Sequence, residues 1–355
     1  MEAILTPSET QNKISPFLAE LLGTSEEAIE ISKVHQSETK ESLKVLCEGK
    51  SYFAKVYSTD TDHSNDRLNQ EWTFSRYVRS MGLQNIPAPI AIDKAHGIAL
   101  YEFISGQHLK PEEFTASLLD EALSFHLALN ENAHSNNSSN ELPTAYDASF
   151  SLADYTDSVQ KRMNRFDYIL TNSTDDQKCK DFIINSLEPL WEQTKDHIQM
   201  AALKLGTPQN EKLADTDRCL SAADFGFHNM LIDTGGRAYF IDFEYAGWDD
   251  PARLICDFFH HPSFPVPTRY KKRFAEKALS YLKNHQWHFE RLANLEPLIQ
   301  IKWICILLNP FLAIEPSGHH VHNPENKNID DLKNQRLNQA EALLIECEKT
   351  LRQVT

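Results

Sequence analysis

The hydrophobic pattern of this chain changes period once, near residue 105, and that switch limits its fold more than any other feature. Ahead of it apolar residues alternate: Ile29 and Ile31, then Leu43, Val45 and Cys47, then Tyr52-Phe53-Ala54-Lys55-Val56-Tyr57. Period-2 runs separated by polar turns, at 36–42 and at Gly49-Lys50, predict an antiparallel meander. Residues 86–92 and 97–104 read as further extended segments. A helix at about 66–81 precedes them, and Gly82 stops it. Beyond residue 106 the period is helical, over about 111–130, 150–170, 177–204, 268–286, 297–308 and 329–352. Leu337, Ala340, Leu344, Cys347 and Leu351 form an amphipathic stripe in the last of these. Met230-Leu231-Ile232 and Tyr239-Phe240-Ile241 flank Thr234-Gly235-Gly236 and read as a hairpin. The order predicts an α+β fold in two lobes, a small antiparallel-sheet lobe over 1–105 and a large, mostly helical one over 107–355.

Composition narrows the function. A chain of 355 residues can build two packed units or one large bilobal domain. Its 35 basic and 51 acidic residues leave a net charge of −16. With no basic stripe to neutralise phosphates, a nucleic-acid partner is excluded. The six cysteines are scattered with no CxxC pair, which suits free thiols in a reducing cytoplasm. The opening MEAILTPSETQNK lacks the apolar run of a signal peptide. The longest mostly apolar stretch, 299–314, is interrupted by Gln300, Lys302, Asn309 and Pro310 and falls short of the ~20 residues of a membrane span. It reads as a buried core helix ending before Pro310, so no membrane partner is expected. Residues 130–140 and 316–328 are strongly polar and read as exposed loops. His319, His320 and His322 lie in the second, and neither they nor His260-His261 have a carboxylate or cysteine at zinc-site spacing.

Three segments hold polar residues that packing alone explains poorly. Lys55 lies inside an apolar strand, where its stem can pack while the ammonium reaches a phosphate or a carboxylate. An edge-strand lysine facing water would give the same pattern. Glu71, on the following helix, is placed to meet a lysine on the strand. The third segment is Leu220-Ser221-Ala222-Ala223-Asp224-Phe225-Gly226-Phe227-His228-Asn229, followed by the hairpin and Ile241-Asp242-Phe243-Glu244. The hairpin returns the chain so that Asp242 can lie near Asn229. A carboxylate and an amide oxygen converging on one point suit Mg²⁺, a hard cation that takes oxygen ligands. Asp224 is then left to hold a hydroxyl or accept its proton. His228 could touch phosphate or pack locally, and Glu244 could fix the loop. Asp249-Asp250 before Pro251 reads as a helix N-cap.

Taken together this resembles a kinase site, and the chain resembles the aminoglycoside phosphotransferase and choline kinase family, the small-molecule branch of the protein-kinase-like fold. The resemblance runs from about residue 25 to about 310. Its specific part is Asp224, Asn229 and Asp242 in a D-x4-N…D pattern, with the run Ile241-Asp242-Phe243-Glu244-Tyr245-Ala246-Gly247-Trp248-Asp249-Asp250-Pro251-Ala252 close to the family's metal-site signature. Lys55 and Glu71 fall where the family places its ion pair, and residues 100–106 resemble its interlobe hinge. Two departures stand out. Ala222-Ala223 replace the His-Gly that usually precedes the catalytic Asp, and the turn at 36–42 has no glycine. Phosphate contact there would come from backbone N–H groups or from Ser37, Thr39 and Ser42.

The resemblance implies an ATP- and Mg²⁺-dependent transfer of the γ-phosphate to a hydroxyl of a small molecule: a sugar, an amino alcohol or an aminoglycoside-like compound. It implies that Lys55, paired with Glu71, contacts the nucleotide phosphates and that backbone groups near Glu102 and Ile104 bind adenine. Asn229 and Asp242 would hold Mg²⁺, and Asp224 would orient the acceptor and take its proton. A monomer or homodimer would suffice. A pseudokinase that binds nucleotide without transfer is the alternative, invited by Ala222-Ala223. A protein-directed kinase lacks its A-P-E-type segment here, and a helical scaffold leaves the polar triad unexplained.

Overall fold

Alternation along 29–57 does form strands, because residues two apart in a strand share one face of the sheet. The computed structural model describes residues 9–36, 40–57, 64–131, 133–135, 139, 141–172, 176–312 and 329–354. In chain order the elements begin with α1 (Glu9–Leu22), β1 (Ile29–Gln36), β2 (Lys40–Cys47), β3 (Lys50–Tyr57) and α2 (Ser64–Ser80). Next come β4 (Pro89–Asp93), β5 (Ile98–Glu102), β6 (Gly106–His108) and α3 (Ala116–Asn130). Four helices follow: α4 (Leu152–Asn164), α5 (Asp167–Asn172), α6 (Gln177–Phe182) and α7 (Glu188–Leu205). Short strands β7 (Cys219–Ser221), β8 (Met230–Asp233), β9 (Ala238–Phe240) and β10 (Gly247–Asp249) precede α8 (Pro251–His260). The chain ends with α9 (Lys271–Ala278), α10 (His285–Leu307) and α11 (Ile329–Val354). The described residues fall into two compact units, one from Met1–Tyr146 with Leu220–Trp248, the other from Asp147–Cys219 with Asp249–Thr355.

In the first unit five antiparallel strands run in the order β1-β2-β3-β5-β4. Leu43, Val45, Ala54, Ile98 and Leu100 line one face and cluster with Ile14, Leu18 and Ala19 of α1. Tyr57, Ala99 and Tyr101 line the other face and cluster with Leu68 of α2, with Phe53 and Trp72 packed alongside. Each fully buried leucine or isoleucine contributes about 1.5–3 kcal/mol to holding the register, since a one-residue slip would move all of them to the opposite face. The register sets Ser42 opposite Lys55 and Lys55 opposite Ala99, so Lys55 rises from the α2 face. Cys47 pairs with Lys50, which makes Glu48-Gly49 the turn, one residue earlier than the sequence suggests. Both residues take positive φ, the conformation a two-residue hairpin needs.

The expected hairpin forms as β8 and β9, and β6 adds to it in a three-stranded sheet. Gly106 pairs with Asp233 so closely that a Cβ there would lie 2.6 Å from the Ile232 carbonyl oxygen. Residue 106 must therefore be glycine for the hairpin to sit against the end of the segment that leaves β5.

The second unit is built on α10, which packs against α4, α7, α8 and α11. Leu295, Leu298, Ile299, Ile301 and Ile304 are wholly buried, and the helix is buried on nearly every side. It differs from expectation in starting at His285 and carrying Pro297 inside, whereas the sequence suggests separate helices at 268–286 and 297–308. An interior proline costs a helix about 3 kcal/mol. Burial of the turns on both sides of Pro297 outweighs that. The 268–286 stretch instead supplies α9 and the turn before α10. The N-cap reading holds: Asp250 Oδ1 accepts the Ala252 N–H at 2.8 Å, with Pro251 in the first turn.

Several charged groups buried in this unit pair with one another. Asp257 accepts from Lys302 at 2.6 and 2.8 Å and from the Trp303 indole at 2.7 Å. Asp250 pairs with Arg291 at 2.5 Å, and His260 with Glu296 at 2.8 Å. His260 is thus a packed core residue. His319, His320 and His322 lie outside the described residues. Asp249 is fully buried, and burial outweighs its Arg253 partner at 3.2 Å, pushing its carboxyl up to about 6. Among the described residues no helix is long and apolar enough to cross a membrane.

Two outcomes follow from these contacts. Gly106→Ala is expected to lower unfolding free energy by about 1–3 kcal/mol in urea denaturation, the range for a forced backbone shift. An unchanged midpoint would mean β8 can yield at no cost. Asp249 binds its proton more tightly folded than unfolded, so its contribution is greatest below pH 4 and is lost as pH rises through about 6. Asp249→Asn removes that titration. The stability of the parent chain relative to the variant should therefore fall between pH 4 and pH 7, and a constant difference would contradict the assignment.

Candidate active site

Glu71 lies on the buried stripe of α2 that also holds Leu68, Phe74, Ser75 and Val78. A carboxylate in that position is costly unless every lone pair is met. Here Lys55 Nζ donates to its two oxygens at 2.7 and 2.8 Å, the Tyr57 hydroxyl at 2.5 Å and the Phe243 N–H at 3.3 Å. The Lys55 ammonium reaches a third oxygen, on Asp242, at 2.6 Å. Burial alone would push the Lys55 ammonium down, but Asp242, Glu71 and Glu244 together hold it well above the ordinary lysine range.

Asp242 arrives from the end of the hairpin. The Ile241 N–H donates to the Asn229 carbonyl at 3.0 Å, and Asp242 itself takes φ 67°, rare outside glycine and costing of order 1–2 kcal/mol. Its carboxylate accepts from Lys55 and also from Lys40 Nζ, at 2.8 and 3.0 Å, and Lys40 donates onward to Glu244 at 2.9 Å. Burial would raise the Asp242 carboxyl, yet Lys55 and Lys40 hold it well below the usual carboxylate range. Two ammoniums thus face three carboxylates. Oxygens of Glu71, Asp242 and Glu244 lie within 4.8 Å of one another. These hard donors suit Mg²⁺, and the Lys40 ammonium bridging Asp242 and Glu244 marks where a cation is held.

Asp224 sits in the loop before β8. Ala223 adopts φ 61° and its N–H is held by the Ser221 hydroxyl at 2.8 Å. Alanine pays a strain there that the family's glycine would not. The Asn229 side-chain amide donates to Asp224 Oδ2 at 3.1 Å and to its carbonyl at 3.0 Å, while His228 Nε2 lies 3.1 Å from Oδ1. With its NH₂ committed to Asp224, the Asn229 amide presents its oxygen as the end able to ligate. Gly226 makes the His228 contact possible, because a Cβ at 226 would lie 2.7 Å from the imidazole. Phe225 and Phe227 anchor the loop from below. Phe225 packs with Phe125 of α3 and Phe240 of β9, and Phe227 meets Phe114 edge-on at 5.7 Å. Asn130 clamps the strand entering the loop, donating to the Leu220 carbonyl at 3.0 Å and accepting its N–H at 2.7 Å.

The structure therefore brings together Lys55, Glu71 and Asp242 in one cluster and Asp224 and Asn229 in another. The Asn229–Ile241 backbone bond joins the two. Glu102 ends β5, its N–H given to the Ala88 carbonyl at 2.8 Å and its carboxylate accepting the Ala88 N–H at 3.2 Å. Ile104 lies between β5 and β6. Ser37 lies outside the described residues, and so does Thr39. The sequence reading gives Lys40 and Tyr57 no part in the site, and it misses the clamp made by Asn130, which counted there as the start of a polar loop. Lys40 had one available signal: it shares strand parity with Ser42, which faces Lys55. Gly226→Ala should eject the His228 ring from Asp224, seen as a change in the His228 imidazole NMR shifts with little change in melting temperature. Unchanged shifts would refute the contact.

No curated protein matches the chain. Among solved structures, a streptomycin–ATP complex of the aminoglycoside phosphotransferase APH(2")-IIa is 14% identical, with TM-score 0.54, covering 96% of this chain and 99% of that one. Choline kinase LicA from Streptococcus pneumoniae is 14% identical, with TM-score 0.57, covering 96% and 100%. A Plasmodium vivax ethanolamine kinase is 14% identical, with TM-score 0.58, covering 98% and 91%. These likenesses establish a kinase-like fold. The family model described as "Phosphotransferase enzyme family" matches residues 37–293, most of the sequence, and the chain belongs to that family.

Proposed function

We propose that this protein transfers the γ-phosphate of ATP to a hydroxyl of a small molecule, with Mg²⁺ as the metal. The observation that carries the reading is the buried Lys55 ammonium held between Glu71 and Asp242, in the same compact unit as an Asp224 carboxylate fixed by Asn229. Lys55 binds the nucleotide phosphates, and Glu71 keeps its ammonium aimed and charged. Adenine hydrogen-bonds to the Glu102 carbonyl and the Ile104 N–H, since the Glu102 N–H already serves Ala88. Asp242 and Asn229, with Glu244 near Asp242, would hold the metal, which would neutralise charge on the phosphate oxygens.

Asp224 accepts a hydrogen bond from the acceptor hydroxyl. As the hydroxyl oxygen bonds to the γ-phosphorus, the bond to ADP breaks and the proton passes to Asp224. Catalysis is mainly positioning and charge neutralisation, because the transition state is loose. The names of the structural neighbours, aminoglycoside phosphotransferases and choline and ethanolamine kinases, support an acceptor that is a polar small molecule with a free hydroxyl, a sugar, an amino alcohol or an aminoglycoside-like compound. A reducing cytoplasm suits the six buried free cysteines.

Asp224→Asn is expected to slow transfer by about 10²–10⁴-fold while ATP affinity stays within about threefold, measured by coupled ADP release and by calorimetry. Unchanged turnover would remove Asp224 from the mechanism. A parent protein that binds ATP but releases no ADP with any hydroxyl compound would favour the pseudokinase reading.

A further inference from the structure

The mechanism leaves Lys40 without a task. It opens β2 directly opposite Tyr57, two residues before the Ser42 that faces Lys55. Lys40 and Lys55 therefore rise from the same sheet face, one position apart on that face. Both reach Asp242, and Lys40 alone bridges to Glu244. Its side chain is only 13% exposed, so the ammonium is held by the cluster, in contrast to a lysine that rests loosely on a surface.

That bridge has a consequence for metal entry. A divalent cation using Asp242 and Glu244 must take the oxygens that Lys40 now binds. Free Mg²⁺ would have to evict a partly desolvated ammonium and leave it beside a dication. Like charges a few ångströms apart at low effective dielectric repel by several kcal/mol. The metal complex of a nucleoside triphosphate is different, because it brings anionic phosphates on which the displaced ammonium can settle.

We propose that Lys40 is an internal counter-ion that closes the Asp242–Glu244 site to free divalent metal and yields it to the metal–nucleotide complex, moving onto the polyphosphate. The proposal rests on the functional reading above. It makes Lys40 a phosphate-binding group in the turn that lacks glycine, and it couples metal binding to nucleotide binding without any lid.

The test uses the full chain and Mn²⁺ as a paramagnetic probe, titrated by electron paramagnetic resonance with and without ATP. Lys40→Met and Lys40→Gln are expected to bind Mn²⁺ alone at least about tenfold more tightly than the parent, once the competing ammonium is gone. Both should bind ATP less tightly, and Lys40→Arg should restore the parent behaviour. If the parent binds Mn²⁺ with ATP but either folded variant binds free Mn²⁺ no more tightly than the parent, the counter-ion role is wrong and the kinase reading stands. If the parent binds neither ATP nor Mn²⁺ in the presence of ATP, the functional reading fails and this one with it.

Discussion

The Lys55 ammonium, shared between Glu71 and Asp242, is the interaction on which the rest of the site depends. Neither Lys55 nor Glu71, both buried, is tolerable alone at its position: an unpaired buried charge costs several kcal/mol, while a completed network offsets that cost. The pairing constrains three elements at once. It fixes the register of β3, because a one-residue slip would point Lys55 at the α1 face. It fixes the rotation of α2, because Glu71 must face the sheet. It also holds Asp242 in a backbone conformation that a non-glycine residue avoids. Tyr57 and the Phe243 N–H complete the donor set on Glu71, so the network leaves little freedom for any member to drift.

Much of this fold could be read from periodicity. The three opening strands, α2, the 230–241 hairpin and the capped start of α8 each carry a local signal, and each forms. Failures came where tertiary burial overrides a local rule. Pro297 looks like the first residue of a helix, yet it sits inside one because the leucines and isoleucines around it are buried on every side. Asn130 ends α3 as the helical period suggests, yet as the start of a polar loop it reads as exposed, and it is buried and ties down Leu220, a residue far along the chain. No local pattern encodes a hydrogen bond to so distant a partner.

The site divides in the same way. Lys55 and Glu71 were legible as charged residues on apolar elements, and Asp224, Asn229 and Asp242 by their spacing around a hairpin. Lys40 was not, because a lysine beside a turn is the commonest of surface residues, and only the carboxylates it meets distinguish it. The His228 contact with Asp224 depends on the missing side chain of Gly226, an absence whose meaning appears only once the ring is placed.

The first compact unit is drawn from two stretches of chain, with Asp147–Cys219 lying between them in sequence. That discontinuity sets an order of assembly. Lys55 and Glu71 are 16 positions apart and can pair as soon as β3 and α2 have left the ribosome, whereas Asp242 is 187 positions from Lys55. Closing the longer span costs about 2 kcal/mol more chain entropy. The strand-and-helix half must therefore wait, its lysine partly neutralised by one carboxylate, until the hairpin is synthesised and docks against β6. The charge cluster therefore cannot close before the hairpin is made, and a chain truncated before residue 242 leaves the Lys55 ammonium with Glu71 as its one partner from the pair that shares it.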